Sequence, residues 1–171
     1  MKQSVTVEAP DIQSAEQEAA RQKMRFAEQS TWLLGYFNLE RLYQPPYSEW
    51  YFSGFDNYQP EQAYIDKLKT MDKDNLTIKI VLGTWCPDSR REVPRFMRIM
   101  DLIGFPRNKI EFIGVDNVKI SPIENYDALG IERVPTFIFY MNKVETGRII
   151  ETPKTSLEQD MLNILVRNEK N

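Results

Sequence analysis

The stretch VLGTWCPDSRREVPRF, residues 81–96, contains the only cysteine of the chain, Cys86. The short β-branched run TIKIVLG, residues 77–83, leads into it and predicts a buried strand. Apolar residues at helical spacing follow and predict an amphipathic helix; they are Val93, Phe96, Met97, Met100 and Ile103. A strand that passes directly into a helix puts Cys86 at the helix N-terminus. Free backbone N–H groups and the helix dipole favour a thiolate there.

Two interpretations of Cys86 follow from its position: a reactive thiol, or a small buried apolar residue, which is a common state of free cysteine. Arg90 and Arg91 would add positive potential near the thiol, and Asp88 would oppose it. Ser89 also allows two interpretations. Its hydroxyl could donate a hydrogen bond to the Cys86 thiolate, or the sequence SRRE could be a capping box that starts the helix.

The composition indicates one globular domain with a real core, because 42% of the 171 residues are apolar. The net charge of −3 argues against a broad nucleic-acid surface, which requires a basic face. No apolar run approaches the roughly 20 residues that span a bilayer, and the polar N-terminus does not resemble a signal peptide. We therefore expect no membrane span and a cytoplasmic location, or a periplasmic or exported one if a leader has been removed.

The chain has no histidine and a single cysteine. Ser-His-Asp and Cys-His nucleophile systems, histidine-containing metal sites and multi-cysteine zinc clusters are therefore excluded. An internal disulfide is excluded for the same reason. We expect no metal site and no cofactor, and any redox step must join Cys86 to a second molecule.

The rest of the chain is predicted to have three parts: a polar tail over residues 1–14, a helical and aromatic extension over 15–59 packed on the core, and a domain over 60–171. Ten of the 20 aromatic residues lie between Trp32 and Tyr58, and we expect them to supply additional core.

The domain is predicted to be α/β, a mixed sheet with helices on both faces. Alternating strands and helices imply a parallel pair, and two adjacent late strands imply a hairpin. The elements expected after the first strand and helix are a strand at 109–116, a helix at 121–130, strands at 136–141 and 147–151 joined by a turn at 142–146, and a helix at 155–168. Capping boxes are expected at Ser121 and Ser156.

Trp85-Cys86-x-x-Ser89, Pro94 and the segment GIERVPTFIFY, residues 130–140, together resemble the thioredoxin family over about residues 60–170. The family motif is Trp-Cys-x-x-Cys with a helix-kinking proline at the spacing of Pro94. The family also has a Gly-Ile-x-x-[Ile/Val]-Pro-Thr segment with a cis proline. The whole chain is similar to stand-alone bacterial thioredoxin-like proteins that carry an aromatic N-terminal extension.

The resemblance implies that Cys86 is the attacking thiol and that Pro135 is cis and packs against it. It implies that Val134 offers its backbone to an extended substrate, and that Trp85 and Pro87 shape the surroundings of the thiol. The chain departs from the family at two positions. Ser89 replaces the resolving cysteine, and Ile80 stands where many members have a buried aspartate.

These features predict a monothiol protein that forms mixed disulfides with glutathione, a similar small thiol or a cysteine of a partner protein. Oxidation of Cys86 to a sulfenic acid is a variant of the same hypothesis. Whether the protein is an enzyme, a thiol-disulfide oxidoreductase lacking the resolving cysteine, stays open. The alternative is a non-catalytic thioredoxin-fold module that binds a peptide or protein beside Val134 and Pro135. An iron–sulfur site of the monothiol glutaredoxin kind is disfavoured, because Pro87-Asp88 does not match Cys-Gly-Phe-Ser.

Overall fold

A five-stranded mixed sheet forms the centre of residues 32–170 in the computed structural model, which describes residues 12–170. The strands are β1 Gly35–Phe37, β2 Leu76–Leu82, β3 Ile110–Gly114, β4 Thr136–Met141 and β5 Val144–Ile150. Their order is β1-β3-β2-β4-β5; β2 and β3 are parallel, and the other three neighbouring pairs are antiparallel. The predicted α/β class, the parallel pair and the late hairpin are confirmed.

Five α-helices and three short 3-10 helices complete the described chain. The α-helices are α1 Ile12–Gln29, α2 Ser48–Asn57, α3 Gln62–Thr70, α4 Pro87–Leu102 and α5 Leu157–Glu169. The 3-10 helices are Leu39–Tyr43, Arg107–Lys109 and Tyr126–Leu129. The Ser156 hydroxyl accepts a hydrogen bond from the Gln159 N–H at 3.1 Å, so the predicted cap of α5 is confirmed.

The two faces of the sheet bury different sets of side chains, because neighbouring residues of a strand point to opposite faces. Ile78, Ile80, Phe137 and Phe139 belong to the main core, which also holds most of the buried apolar residues of α2, α3, α4 and α5. The other face carries a smaller cluster that includes Val81, Ile113, Val115, Tyr126 and Ile138. Within residues 32–170, the 3-10 helix Tyr126–Leu129 takes the place of an α-helix on this second face. The expectation of helices on both faces is corrected accordingly.

The helix predicted at 121–130 is wrong. Asn125 adopts a left-handed conformation, with φ 57° and ψ 24°, which an α-helix does not tolerate. Only four residues remain before Gly130, which ends the segment in a left-handed conformation (φ 60°) as predicted. Ser121 does not cap a helix, and its buried hydroxyl has no hydrogen-bond partner among residues 12–170.

The turn between β4 and β5 is shorter than predicted. Only Asn142 and Lys143 connect the strands, and both have positive φ, 51° and 67°. A two-residue loop of this kind matches the twist of the flanking strands. As a result, β5 begins at Val144 rather than at 147.

Strand β1 was not predicted. It pairs with β3 so that Gly35 lies opposite Gly114. A Cβ at Gly114 would lie 1.9 Å from the Leu33 carbonyl oxygen, so this close approach of two backbones requires glycine.

The chain divides into two compact units, residues 1–31 and 32–171. The polar tail predicted for 1–14 lies mostly outside the described residues, and α1 already begins at Ile12. In the second unit Tyr51 belongs to the main core, and Trp50 and Phe55 pack against it. The aromatic region therefore supplies core, as expected. No helix within residues 12–170 is both long enough and apolar enough to cross a membrane.

Candidate functional site

Cys86 is the N-cap residue of α4, as predicted from the strand–helix junction. Its backbone N–H donates to the Gly83 carbonyl at 2.9 Å, which closes the turn after β2, and its own carbonyl accepts from the Arg90 N–H at 3.0 Å. Pro87 is the first residue of the helix and is exposed. Proline suits this position, because its fixed φ is helical and its missing N–H would have no partner in the helix.

The Cys86 thiol lies against the segment that precedes β4. Its Sγ donates to the Val134 carbonyl oxygen at 3.5 Å. The Val134–Pro135 peptide bond is cis, as predicted. Val134 and Pro135 are both buried, and the Pro135 carbonyl accepts from the Glu151 N–H at 2.7 Å. The fold thus brings together residues that are 48 positions apart in the sequence.

Of the two interpretations of Cys86, the structure agrees with burial, since the residue retains only 7% exposure. The physical reason is the cluster on the second face of the sheet, in which Cys86 packs with buried aliphatic residues and Tyr126. Trp85, Ile123, Leu129 and Ile131 pack around the same cluster. A large reagent can therefore reach the sulfur only if the surrounding segments move apart.

Ser89 supports the turn that holds Cys86. It is fully buried, and its Oγ accepts from the Gly83 N–H at 3.2 Å. The predicted capping box at Ser89 and Glu92 is wrong, because the helix already begins at Pro87 and Cys86 takes the N-cap position. Within the described chain, the only hydrogen bond of the Cys86 side chain is to Val134, so the proposed bond from Ser89 is not formed in this state.

Trp85 has a structural role beside the thiol. Its indole Nε1 donates to the Val115 carbonyl at 3.0 Å, and its ring centroid lies 6.2 Å from that of Trp32. A Cβ at Gly83 would lie 2.5 Å from the Trp85 ring, so the turn needs glycine for the indole to fold across it. Trp85 is half-buried.

The charged residues of α4 are engaged with other groups. Arg91 forms ion pairs with Asp88 at 2.6 Å and with Glu92 at 2.9 Å, and these hydrogen bonds raise the pKa of Arg91. The Arg90 Nε donates to the Thr84 carbonyl at 2.7 Å, and its guanidinium lies 6.0 Å from the centroid of the Trp50 ring. The positive potential expected from Arg91 is therefore largely neutralised by its carboxylate partners.

Sequence reasoning missed two aromatic residues close to this site. Tyr126 lies in the cluster with Cys86, and its hydroxyl donates to the Lys119 carbonyl at 2.5 Å. Burial, reinforced by Asp116 and Asp127, raises the pKa of Tyr126 to about 12. Trp32 contacts Trp85, and its buried Nε1 has no hydrogen-bond partner among residues 12–170. Their spacing in the sequence carries no signal of either contact.

No group of three or more histidine, cysteine, aspartate or glutamate side chains within residues 12–170 is arranged to hold a metal ion.

No protein-family model matches the chain, and no curated protein matches it. Among solved structures, the chain is similar to the 1.5 Å crystal structure of a protein of unknown function from Pseudomonas aeruginosa. The two share 15% sequence identity with a TM-score of 0.48, and the match covers 72% of this chain and 81% of that chain.

Proposed function

We propose that this chain is a thioredoxin-like protein with one reactive thiol, Cys86, which forms mixed disulfides with a small thiol or with a cysteine of a partner protein. The observation that carries the proposal is the position of the thiol. Cys86 takes the N-cap position of α4, and its Sγ lies 3.5 Å from the Val134 carbonyl oxygen, next to Pro135. A helix N-terminus stabilises a thiolate, the reactive form of cysteine.

The thioredoxin-like arrangement is part of the same proposal. It is supported by the order β2, α4, β3, β4, β5, α5 and by the central position of the parallel pair β2–β3 next to β4. The chain would differ from the family in having only the turn of 3-10 helix at Tyr126–Leu129 between β3 and β4.

The reaction is thiol–disulfide exchange. The Cys86 thiolate attacks one sulfur of a disulfide, a new S–S bond forms to that sulfur, and the other sulfur leaves as a thiolate. An external thiolate reverses the step and releases Cys86. Ser89 has no sulfur and cannot release the bound product, so resolution requires a second molecule such as glutathione, in keeping with a cytoplasmic location.

Access to Cys86 is an additional requirement of this mechanism. The thiol is buried, and it already donates a hydrogen bond to the Val134 carbonyl oxygen. An extended partner chain could donate a backbone hydrogen bond to the Val134 carbonyl. That bond would replace the one from Cys86 and leave the sulfur without a hydrogen-bond partner. We expect such chains, or small disulfides that enter after a local opening, to react in preference to bulky rigid ones.

The experiment is mass spectrometry of the native chain after treatment with glutathione disulfide. We expect one glutathione on Cys86, removed by added thiol, and none on the Cys86→Ala variant. We also expect no sustained insulin reduction unless a small thiol is supplied. A native chain that stays unmodified while the urea-unfolded chain is modified would disprove the proposal, as would robust insulin turnover without small thiol.

A second function, a peptide-binding module with an inert cysteine, is favoured by the 7% exposure of Cys86. The two functions differ in how partners are captured on immobilised protein. A reactive thiol captures partners that elute with reductant, and Cys86→Ala loses them. A binding module retains the same partners in Cys86→Ala, with or without reductant.

A further inference from the structure

Helix α1 exposes its large apolar side chains. Ile12, Met24 and Phe26 are 75%, 73% and 75% exposed, and none of the residues of α1 is buried. In proteins most of the stability of a helix comes from packing of its apolar face rather than from helix propensity. Its apolar residues therefore favour a partner surface.

The apolar residues of α1 cover one side of the helix, which we call the α1 face. At 100° per residue this side holds Ile12, Ala15, Ala19, Ala20, Met24, Phe26 and Ala27. Two charged residues, Glu16 and Lys23, lie within the same side, seven residues and so two turns apart. Neither forms a salt bridge within residues 12–170.

We propose that the α1 face binds the α1 face of a second copy of this chain, with the two helices antiparallel. The charges decide the direction. In a parallel pair each residue lies level with its own copy, so Glu16 would face Glu16 and Lys23 would face Lys23. In an antiparallel pair with the two-fold axis between Ala19 and Ala20, Glu16 faces Lys23 of the second copy twice.

The same register also matches the sizes of the apolar residues. It sets Met24 opposite Ala15, Ile12 opposite Ala27, and Ala19 opposite Ala20; Phe26 lies opposite Gln13, a polar residue on the same side of the helix. A large side chain opposite a small one lets two helices approach closely and interdigitate. A single two-fold axis satisfies every one of these pairs, as a self-complementary interface requires.

The size of the α1 face sets the strength of the pairing. An 18-residue helix is about 27 Å long, so the interface is smaller than that of a typical stable dimer. We expect a weak dimer whose population rises with protein concentration. The charged pair fixes direction and register, as single polar residues do in coiled coils.

The test is sedimentation equilibrium of the full chain over a concentration series, with reductant present to prevent dimers linked through Cys86. Glu16→Lys and Lys23→Glu should each raise the dimer dissociation constant by about tenfold or more, because every dimer contains two copies of the altered contact. The double variant E16K/K23E should restore dimerisation. Glu18→Lys is the matched control, because it makes the same charge change on the opposite side of α1 and should have little effect.

The proposal is overturned if the chain stays monomeric up to about 1 mM, or if the single reversals leave the dissociation constant unchanged. It is equally overturned if the double variant fails to restore the dimer. Binding of a monomeric chain to phosphatidylglycerol-containing vesicles would assign the α1 face to a membrane surface instead.

Discussion

Cys86 lies at the helix start that the proposed function requires, but its burial restricts access to the sulfur. Cys86 takes the N-cap position of α4, and the cluster around Tyr126 and Val134 leaves the residue 7% exposed. The sequence predicted the first property from the strand–helix junction. The sequence leaves the second property open, because the cluster around the thiol combines residues of three strands with Tyr126 and Val134, and no local pattern shows that they meet.

Ser89 illustrates why a local motif can be misread. SRRE suits a capping box, but Pro87 is strongly favoured at the first helical position, which moves the helix start three residues earlier than a cap at Ser89 requires. The hydroxyl accepts from Gly83 instead. In the proposed thioredoxin-like arrangement, position 89 is that of the second, resolving thiol.

Ser89→Cys should therefore convert the chain into a dithiol protein. We expect an intramolecular disulfide between positions 86 and 89 after mild oxidation, and insulin reduction that no longer depends on small thiol. Thiol counting and the insulin turbidity assay measure the two effects. The control is Ser53→Cys, which adds a thiol at an exposed position of α2. If Ser89→Cys performs no better than Ser53→Cys, Cys86 is not a redox centre.

At the scale of elements, α2 and α4 are joined by stacked cations and by one close backbone approach. Arg95 and Arg98 of α4 lie over the rings of Tyr58 and Phe55, at 5.4 and 5.2 Å. The helices approach closely at Gly54, where a Cβ would lie 2.6 Å from Cγ of Pro94. This packing attaches the aromatic region to the helix that carries Cys86.

Gly54→Ala should destabilise the protein by about 1–3 kcal/mol, because the added methyl group overlaps a rigid proline ring in a packed interface. This cost opposes the gain of up to about 1 kcal/mol that alanine brings to a helix interior. Urea unfolding measures the difference. Ser53→Ala, at the neighbouring exposed position, is the control and should change stability by no more than about 0.5 kcal/mol. A Gly54→Ala variant that is more stable than the original chain would contradict this packing.

Long elements with a clear pattern were predictable, and short ones were not. The apolar stripe of α4 and the β-branched run of β2 each extend far enough to show a period. Strand β1 has three residues and depends on Gly114, which gives no periodic signal. The helix expected at 121–130 does not form, because Asn125 adopts a left-handed conformation. A capping motif in the sequence does not indicate such a conformation.

At the scale of the whole molecule, buried tyrosines make the stability of the fold decrease at alkaline pH. Burial is the main cause of a raised pKa at five tyrosines, which are Tyr47, Tyr51, Tyr58, Tyr126 and Tyr140. The pKa of Tyr126 is raised to about 12. The unfolded chain loses these protons near pH 10. The folded chain then holds more protons than the unfolded one, so stability is fully present below about pH 10 and is lost as pH rises towards the folded pKa values.

We therefore expect the urea midpoint to fall between pH 9 and 11, followed together with tyrosinate absorbance. In the Tyr126→Phe variant the urea midpoint should fall less steeply with pH. At pH 8 the variant should lose about 1 kcal/mol of unfolding free energy, because the hydrogen bond to the Lys119 carbonyl is gone. A midpoint that stays constant or rises over this range would show that the tyrosines titrate normally in the folded chain.

The most direct test of the central claim is the rate at which Cys86 reacts with a small aromatic disulfide at pH 7, measured by stopped flow on the folded and the urea-unfolded chain. The proposed function predicts a faster reaction in the folded chain, because a helix start favours the thiolate and a small disulfide can enter after a local opening. A slower reaction in the folded chain than in the unfolded one would contradict the claim and leave Cys86 as a buried apolar residue.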